Sequence, residues 1–493
     1  MRRRIAIAAI IIAAAIVVVR LIVVASDFSA VVTAEEFESL RGDHTGLRAF
    51  LQRMPKGGDL HVHLSGAVYA ERLIGWAVQD GLCVRLADAS IAEPPCEKEK
   101  GTEPIADTLR DQTLYERLVN ALSMRFFVPS AATPSGHDQF FAAFGKFGSA
   151  SGRHAVDMTV DQLRHYQSEA VQYVELMTSF LPGRDRQVLA AAIRGATDFS
   201  AMLDTLKLLG LERVVEDMRT QIADQVRRIE AVLDCDAERT RPGCNVRYRY
   251  IAQVSRNNPI EDVFVQTAAA AALVRAEPRV VALNFVAPED YQIAVRDYGE
   301  HMRIVGFLAK DVPVALHAGE LWLGLVPPSD LASHIRAAVE VAGARRIGHG
   351  TALAFERDME GLLATMRERA VAVEINLTSN DVILGVRGRD HPLPAYLKAG
   401  VPVVLSTDDA GVSRIDLSNE YVRAAREHGL GYRALKSIAR NALVHAFLPP
   451  QERARELERF DRASTDFEQR TTGARWQFRH LVALIKAAVR PRP

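Results

Sequence analysis

The chain has 493 residues, 48% of them hydrophobic, with 61 basic and 61 acidic side chains that give a formal net charge of zero. Enough apolar surface is available to bury a sizeable core, so the composition excludes a largely disordered chain. It also argues against a nucleic-acid-binding protein, since such proteins usually carry a basic excess.

The amino terminus has the pattern of an export signal. Three arginines at positions 2–4 precede an apolar run over residues 5–19, which Arg20 interrupts before the run resumes over residues 21–25. A basic segment followed by a short apolar segment is typical of export signals, and the whole run is long enough for a membrane anchor. We predict that the protein is exported, either periplasmic or secreted. Residues 1–33 would then be cleaved off or retained as an N-terminal membrane anchor.

Four cysteines form two pairs that are close in sequence: Cys83 with Cys96, and Cys235 with Cys244. Each pair lies in a loop-like stretch that contains Pro or Gly, and in an oxidising compartment each would close a local disulfide. Four unrelated thiols are the alternative interpretation. A zinc knuckle is disfavoured because neither pair has the short spacing of such sites.

Short apolar runs rich in Val, Ile and Leu recur along the chain and alternate with charged helical stretches such as residues 328–342 and 355–369. The pattern is typical of buried parallel strands, and eight of them favour a (β/α)8 TIM-type barrel over an open doubly wound sheet. The predicted strands are 59–64, 171–177, 247–254, 279–286, 312–317, 346–349, 371–376 and 401–406.

The spacing of these strands is uneven. About a hundred residues separate the first two, and about seventy separate the second and third. Amphipathic patterns in both gaps predict helical insertions at about residues 70–165 and 180–245. Residues 34–493 would then form a single domain, with a leading helix over 34–50 and a helical tail from residue 451 that packs on the outside of the barrel.

Polar side chains cluster where the predicted strands end. They are His61, His63, His317, Glu320, His349, Asp408 and Asp409. Any one of them could be an ordinary buried polar group or a helix cap. In a barrel, however, all of these strand ends converge on one face. Three histidines and a carboxylate suffice to hold a zinc ion with one open position, which leaves a carboxylic acid, a histidine and an aspartate for proton transfer.

Five ordered motifs carry a specific resemblance. The stretch 54–66, reading MPKGGDLHVHLSG, resembles the opening signature of the adenosine deaminase family. The segments 317–320 (HAGE), 346–350 (RIGHG), 378–380 (TSN) and 406–409 (STDD) are similar to later family motifs, in the same order. The resemblance covers about residues 47–448. The export signal and the cysteine-bearing insertions look most like the secreted adenosine deaminase-related growth factor branch.

The resemblance implies a zinc-dependent hydrolase that converts adenosine, and 2′-deoxyadenosine with it, to inosine-type product and ammonia. One Zn²⁺ per chain would be held by four residues: His61, His63, His317 and Asp408. Glu320 would protonate purine N1, a task that needs a neutral carboxyl with a raised pKa. His349 would orient or deprotonate the attacking water, and Asp409 would hold that water and contact the purine.

The expected substrate contacts come from Ser65, Gly66, Ala287 and Trp322, together with Asp409. Ser65 stands where many family members have an Asp that meets the ribose, and Ala287 stands where a Gly amide usually meets purine N3. The alternatives are therefore a deaminase of free adenine or another 6-aminopurine, and a catalytically silent secreted binding or signalling protein. A binuclear amidohydrolase is disfavoured because residues 279–286 contain no Lys to bridge two metals.

Two other groups of side chains have simpler interpretations. Phe140, Phe141, Phe144 and Phe147 recur at near-helical spacing in the first predicted insertion. This spacing favours an apolar stripe that packs in the core over a wall of the substrate pocket. Three arginines near the barrel mouth, namely Arg387, Arg389 and Arg414, are interpreted as solvated loop residues in preference to phosphate ligands.

The expected partner of the protein is a purine nucleoside and not a nucleic acid. Any oligomer is expected to be a homodimer.

Overall fold

The computed structural model describes residues 28–131, 135–238 and 240–489, with side chains as far as residue 473. Most of the predicted export segment, residues 1–27, lies outside this part of the chain. Among the helices that are described, none is both long and apolar enough to cross a membrane. Eight parallel strands form the centre of the molecule: β1 (Gly57–His63), β2 (Val171–Thr178), β3 (Arg247–Ser255), β4 (Val280–Val286), β5 (Ala315–Ala318), β6 (Arg346–His349), β7 (Ala372–Ile375) and β8 (Val403–Leu405).

The eight strands pair as two four-stranded parallel sheets, β1 to β4 and β5 to β8, each in chain order. Two isolated parallel bridges connect the sheets, one between Leu283 and Val314 and the other between Val62 and Asp408. At the second seam the Asp408 amide donates to the His61 carbonyl at 2.9 Å. The strands therefore form a ring, and the predicted (β/α)8 barrel is confirmed.

Helices surround this ring. Those before β3 span residues 28–40, then His44–Arg53, Ala70–Gln79, Gln112–Ala121, His137–Ser151, Ala155–Ser168, Gly183–Ala192, Phe199–Leu208 and Leu211–Leu233. Those after β3 span Ile260–Ala276, Gln292–Arg296, Tyr298–Leu308, His334–Glu340, Met359–Glu368, Leu377–Leu384, Leu393–Ala399, Ala410–Ser413, Leu417–Glu427, Tyr432–Val444 and Pro450–Val489. Short 3-10 turns span Lys98–Lys100, Ile105–Leu109, Pro328–Leu331, Thr351–Phe355 and Gly388–Asp390.

The first insertion is largely helical, as predicted, and it also contains an element that was not predicted. Besides its helices it contains a three-stranded antiparallel sheet of Cys83–Arg85, Ser90–Ala92 and Thr102–Pro104. Strands of three residues are too short to show the alternation on which strand prediction depends. The Cys83–Cys96 disulfide joins the first of these strands to the loop that follows the second.

The second insertion is helical, as predicted, and a disulfide between Cys235 and Cys244 closes the loop that leads into β3. Its long helix, Leu211–Leu233, buries residues at three- and four-residue intervals, among them Leu211, Val215 and Met218. That spacing places one apolar stripe against the barrel. The carboxyl-terminal helix also packs on the outside, where Phe460 and Phe467 are buried.

Candidate active site

Four nitrogen and oxygen atoms meet at the carboxyl-terminal ends of the strands. The Nε2 atoms of His61 and His63 each lie 3.1 Å from Nε2 of His317. They lie 3.4 and 3.3 Å from Oδ1 of Asp408, the residue that follows β8 closely. His61 and His63 are two apart on β1, so both side chains point to the same side of the strand. The barrel thus brings all four predicted metal ligands together.

These distances fit a metal ion. Ligands at about 2.0–2.1 Å from a tetrahedral zinc are separated from one another by about 3.3–3.4 Å. Asp408 Oδ1 is buried and has no hydrogen-bond partner within the described residues, whereas Oδ2 accepts from Ser379 Oγ at 2.7 Å. His349 also lies close enough to join His61, His317 and Asp408 in a candidate metal group.

The other ring nitrogen of each histidine ligand contacts a polar side chain, buried for His61 and His317 and half-buried for His63. Nδ1 of His61 lies 2.6 Å from Glu374 Oε2, and Nδ1 of His317 lies 2.9 Å from Asn284 Oδ1. Nδ1 of His63 lies 2.7 Å from the Gln253 side-chain amide. Glu374 and Asn284 accept from Nδ1, so these contacts fix the rings of His61 and His317 and leave their Nε2 atoms free to bind a metal. A metal on Nε2 of His63 requires the Gln253 amide to turn its oxygen towards Nδ1.

The charges around the cluster favour a cation. Burial alone would lower the pKa of His61, but the carboxylates of Asp408 and Glu374 raise it to about 10. Burial and the neighbouring imidazoles hold the pKa of His317 well below its usual range. The cluster therefore attracts a positive charge, which a metal ion supplies in place of a proton.

Two carboxyl groups beside the cluster have pKa values well above their usual range. Burial raises the pKa of Glu320 well above its usual range, and the negative charges of Asp408 and Glu289 raise it further. Burial and the adjacent Asp408 likewise raise the pKa of Asp409. Both side chains line the same cavity. A raised pKa favours the neutral carboxyl, which is the form that the expected proton transfer from Glu320 requires.

Glu289, which positions the backbone of Glu320, carries no local sequence signal. Its buried carboxylate accepts from the backbone amides of Gly319 at 3.0 Å and Glu320 at 2.8 Å. It also lies 2.6 Å from Nδ1 of His334. Glu374 was missed in the same way. Both residues lie far along the chain from the groups that they hold, so no local motif marks them.

A cavity of about 340 Å³ opens beside the metal cluster. Its lining includes three predicted substrate contacts, Ser65, Ala287 and Asp409. Ala287 has φ of 80°, so it keeps the left-handed conformation that a glycine would adopt there at lower cost. Gly66 touches Asp409, because a Cβ at that position would lie 1.7 Å from Asp409 Oδ1. This close approach requires a glycine.

Two interpretations of aromatic residues need correction. Trp322, predicted to contact substrate, is absent from the described lining of the cavity and packs edge-on against Phe355 with ring centroids 5.2 Å apart. The phenylalanine stripe is more than a core stripe, since Phe140, Phe141 and Phe144 line the cavity. The helix that carries these side chains lies at the mouth of the barrel, so some of them can pack in the core while others face the cavity.

The arginines near the barrel mouth do not reach the cavity lining that the structure describes. Arg414 pairs with Glu71 at 2.8 Å, and the exposed Arg387 lies 3.6 Å from Asp381. Arg389 is exposed. They are solvated loop residues, as interpreted from the sequence.

The chain is similar in sequence to proteins of known activity. The sequence profile described as "Adenosine deaminase" matches residues 217–463, half of the chain. The adenosine deaminase of Enterococcus faecalis is 34% identical over 153 residues, which cover 31% of this chain and 42% of that protein. The aminodeoxyfutalosine deaminase of Streptomyces coelicolor is 40% identical over 119 residues, which cover 24% of this chain and 30% of that protein. The matched segments thus span about a third to two fifths of these relatives.

The fold has a solved counterpart. The crystal structure of the Arabidopsis N6-mAMP deaminase superposes with a TM-score of 0.55 at 22% sequence identity. The superposition covers 84% of this chain and 99% of that one. This similarity supports the assignment of the fold.

Proposed function

This chain belongs to the adenosine deaminase family, and from that premise we propose that it is a zinc-dependent adenosine deaminase. It would convert adenosine, and 2′-deoxyadenosine as well, to the corresponding 6-oxopurine nucleoside and ammonia. One observation carries the proposal: the buried carboxyl of Glu320, whose pKa is raised well above its usual range, lines the same cavity as three of the four expected metal ligands, His63, His317 and Asp408.

The metal centre would hold one Zn²⁺ per chain through His61, His63, His317 and Asp408. When bound, zinc lowers the pKa of a water ligand towards about 7 and so makes hydroxide available at neutral pH. Metal analysis of the purified protein should give about one zinc per chain. Two metals per chain would instead favour a binuclear amidohydrolase.

The chain's own groups account for the proton transfers. Deamination adds the oxygen of water to C6 of the purine and breaks the bond from C6 to the amino nitrogen. Of the two water protons, one would leave with the amino nitrogen as ammonia, and the other would replace the proton that Glu320 gives to N1. Glu320 would donate its proton to ring nitrogen N1, which removes the ring's negative charge as C6 becomes tetrahedral. Asp409 would hold the attacking water and contact the purine. Both roles need side chains shielded from solvent, and both are buried.

The cavity favours an uncharged nucleoside. Its described lining contains no Lys or Arg, and three phenylalanines and Tyr291 form an apolar wall. A phosphate would find no cationic partner there. This differs from the substrate in the name of the Arabidopsis structure, which is a nucleotide. Free adenine or another 6-aminopurine is the second candidate, because Ser65 stands where many family members place a ribose-binding Asp.

A substrate panel tests the proposal. Purified full-length protein would be incubated with adenosine, 2′-deoxyadenosine, adenine, AMP and aminodeoxyfutalosine, the last named in the Streptomyces relative. We expect adenosine to be turned over with the highest kcat/KM and AMP to react poorly. Preference for adenine would support the second candidate. No turnover of any 6-aminopurine by protein with confirmed bound zinc would support a catalytically silent binding protein.

We also propose that the protein is exported, in the manner of the secreted growth factor branch. Two disulfides in the described insertions support this, because such bonds persist in oxidising compartments. Mass spectrometry of the recovered amino terminus would distinguish a cleaved signal from a membrane anchor. Light scattering would show whether the protein is a monomer or the homodimer expected for any oligomer.

A further inference from the structure

A chain of buried hydrogen bonds runs from a backbone amide to the ring of His349. Its members are the Leu393 amide, the His391 ring, the Asn380 side chain and the His349 ring. All three side chains are buried, at 2% exposure or less, so water does not compete for these contacts. The direction of every bond in the chain follows from its first member.

The Leu393 backbone N–H can only donate. It lies 3.1 Å from Nδ1 of His391, so that nitrogen accepts and carries no proton. The proton of the neutral His391 ring is therefore on Nε2. This N–H points at Oδ1 of Asn380, 3.0 Å away.

The His391 contact fixes the orientation of the Asn380 amide. Because Oδ1 accepts from His391, the amide nitrogen Nδ2 is the atom that faces His349, at 2.9 Å from its Nδ1. An amide nitrogen donates and does not accept, so Nδ1 of His349 must be unprotonated. Asn376 Nδ2 lies 3.4 Å from the same ring nitrogen and offers a second donor.

We propose that His391, acting through Asn380, is a positioning residue that fixes His349 in the tautomer with its proton on Nε2. The Nε2 atom is buried, has no hydrogen-bond partner among the described residues, and lies 4.0 Å from Asp408 Oδ2. Its N–H therefore faces the metal cluster. Neither His391 nor Asn380 touches the cavity as described, so both act at a distance.

Two further observations agree with this assignment. Burial lowers the pKa of His391 to about 3, so its ring is neutral and carries one proton. The nearest competing acceptor for a proton on Nδ1 of His349 is Oε1 of Glu320, at 3.6 Å. That distance exceeds a good hydrogen bond, and an N–H there would face the N–H of Asn380.

The consequence concerns the role of His349, and it rests on the proposed function. In a neutral ring with its proton on Nε2, that nitrogen has no free lone pair, so it can donate a hydrogen bond but cannot accept a proton. Of the two roles considered for His349, orienting the attacking water or deprotonating it, the relay selects the first. His349 would donate a hydrogen bond to the oxygen that attacks C6.

The tautomer can be measured without any activity assay. Full-length protein labelled with 15N-histidine would be examined by long-range 1H–15N correlation, and the His349 signals assigned by their loss in His349→Asn. We expect Nδ1 of His349 at the shift of an unprotonated ring nitrogen and Nε2 at that of a protonated one. A protonated Nδ1, alone or together with Nε2, would overturn the proposal. This readout needs no substrate, so its result does not depend on whether the proposed function is correct.

Paired substitutions test the relay itself. His391→Leu removes the donor to Asn380, whereas His391→Gln retains an N–H at that position. We expect His391→Leu to lower kcat by about tenfold to a hundredfold, with KM within about twofold and metal content unchanged, a fraction of the effect of a lost acid–base group. His391→Gln should recover most of kcat and the His349 nitrogen shifts.

A nearby histidine serves as the matched control. The ring of His428 lies 5.6 Å from that of His391 but takes no part in the relay, so His428→Leu should leave kcat and the shifts unchanged. Equal losses in His391→Gln and His391→Leu, or unchanged His349 shifts in His391→Leu, would contradict the proposed relay. The tautomer in the unsubstituted protein decides the question even if a variant does not fold.

Discussion

The two halves of the barrel differ in strand length and in what they supply to the site. Strands β1 to β4 have seven to nine residues, whereas β5 to β8 have three or four. The first half carries both insertions and both disulfides. The second half supplies five of the seven predicted metal and proton-transfer residues, and most of the family match falls on it.

The difference separates chemistry from substrate selection. Buried polar contacts fix the second half, where a shift of one group would disturb the reacting atoms. The first half covers the cavity with Phe140, Phe141 and Phe144, on an insertion that is held by a disulfide and by His137, whose Nε2 lies 3.0 Å from Asp290 Oδ1. Changes in the second half should therefore act on kcat, and changes in the first half on KM.

The strongest test of this separation is Glu320→Gln. The amide cannot donate the carboxyl proton to the substrate, so kcat should fall about a hundredfold or more, the scale of a lost general acid. Zinc content and the unfolding midpoint should change little. Glu356→Gln is the control, since this buried carboxyl in the same half accepts from the Ile335 amide away from the cavity. Retained kcat in Glu320→Gln would remove Glu320 from the mechanism.

A second test addresses how the catalytic half is stabilised. Burial raises the pKa of Glu420 to about 7, although hydrogen bonds from Thr378 oppose the shift. The folded state then holds a proton that the unfolded state releases near pH 4.5, so stability from this group falls as pH rises from about 4.5 to 7. Glu420→Gln removes this dependence.

The measurement compares urea unfolding of the two proteins across that range. The unfolding free energy of the unsubstituted protein should fall by about 3 kcal/mol relative to Glu420→Gln between pH 4.5 and 7. A difference that does not vary with pH would show that Glu420 is ionised in the folded protein.

The third test addresses the covering half. Cys235→Ser with Cys244→Ser opens a loop whose ends are nine residues apart, which should lower the free energy of unfolding by about 2–3 kcal/mol. The loop adjoins the amino-terminal end of β3, whereas the site lies at the carboxyl-terminal ends of the strands. We therefore expect an unchanged kcat when the variant is assayed well below its unfolding temperature. A matching loss of kcat would show that the two halves are coupled.

The smallest expected effect comes from the cavity wall. Phe144→Ala removes part of the apolar lining and should raise KM for adenosine about tenfold, equivalent to about 1.4 kcal/mol, with kcat within about threefold. Phe126→Ala is the control on the same insertion, because Phe126 is 81% exposed. An equal rise in KM for both variants would contradict the assignment of the wall.

The strand ends were predictable because each apolar run stops at a polar motif, and a closed ring of parallel strands brings such ends together. His61, His317 and Asp408 were found in this way. Trp322 was misplaced because closeness in sequence to Glu320 does not determine direction: Gly319 turns the chain with φ of 69° just before them. The residue instead reaches Phe355.

The residues that hold the site were not predictable by the same reasoning. Glu374 meets His61 across 313 positions, and Glu289 meets His334 across 45. Such contacts depend on which strands become neighbours, and a single sequence reports only local pattern. The short antiparallel sheet in the first insertion was missed for a related reason, since its three-residue strands are defined by their pairing and by the Cys83–Cys96 bond.

The position of the metal site at one seam of the barrel gives it a structural role as well as a catalytic one. Between β1 and β8 the ring is joined by a single bridge from Val62 to Asp408. His61 and His63 flank one end of that bridge, and Asp408 is the other end. An ion held by these residues would therefore join β1 and β8 across one of the two seams where the strands share only an isolated bridge. Chelation would alter how the barrel is connected as well as what it can catalyse, and apo and holo protein would differ in cooperativity of unfolding.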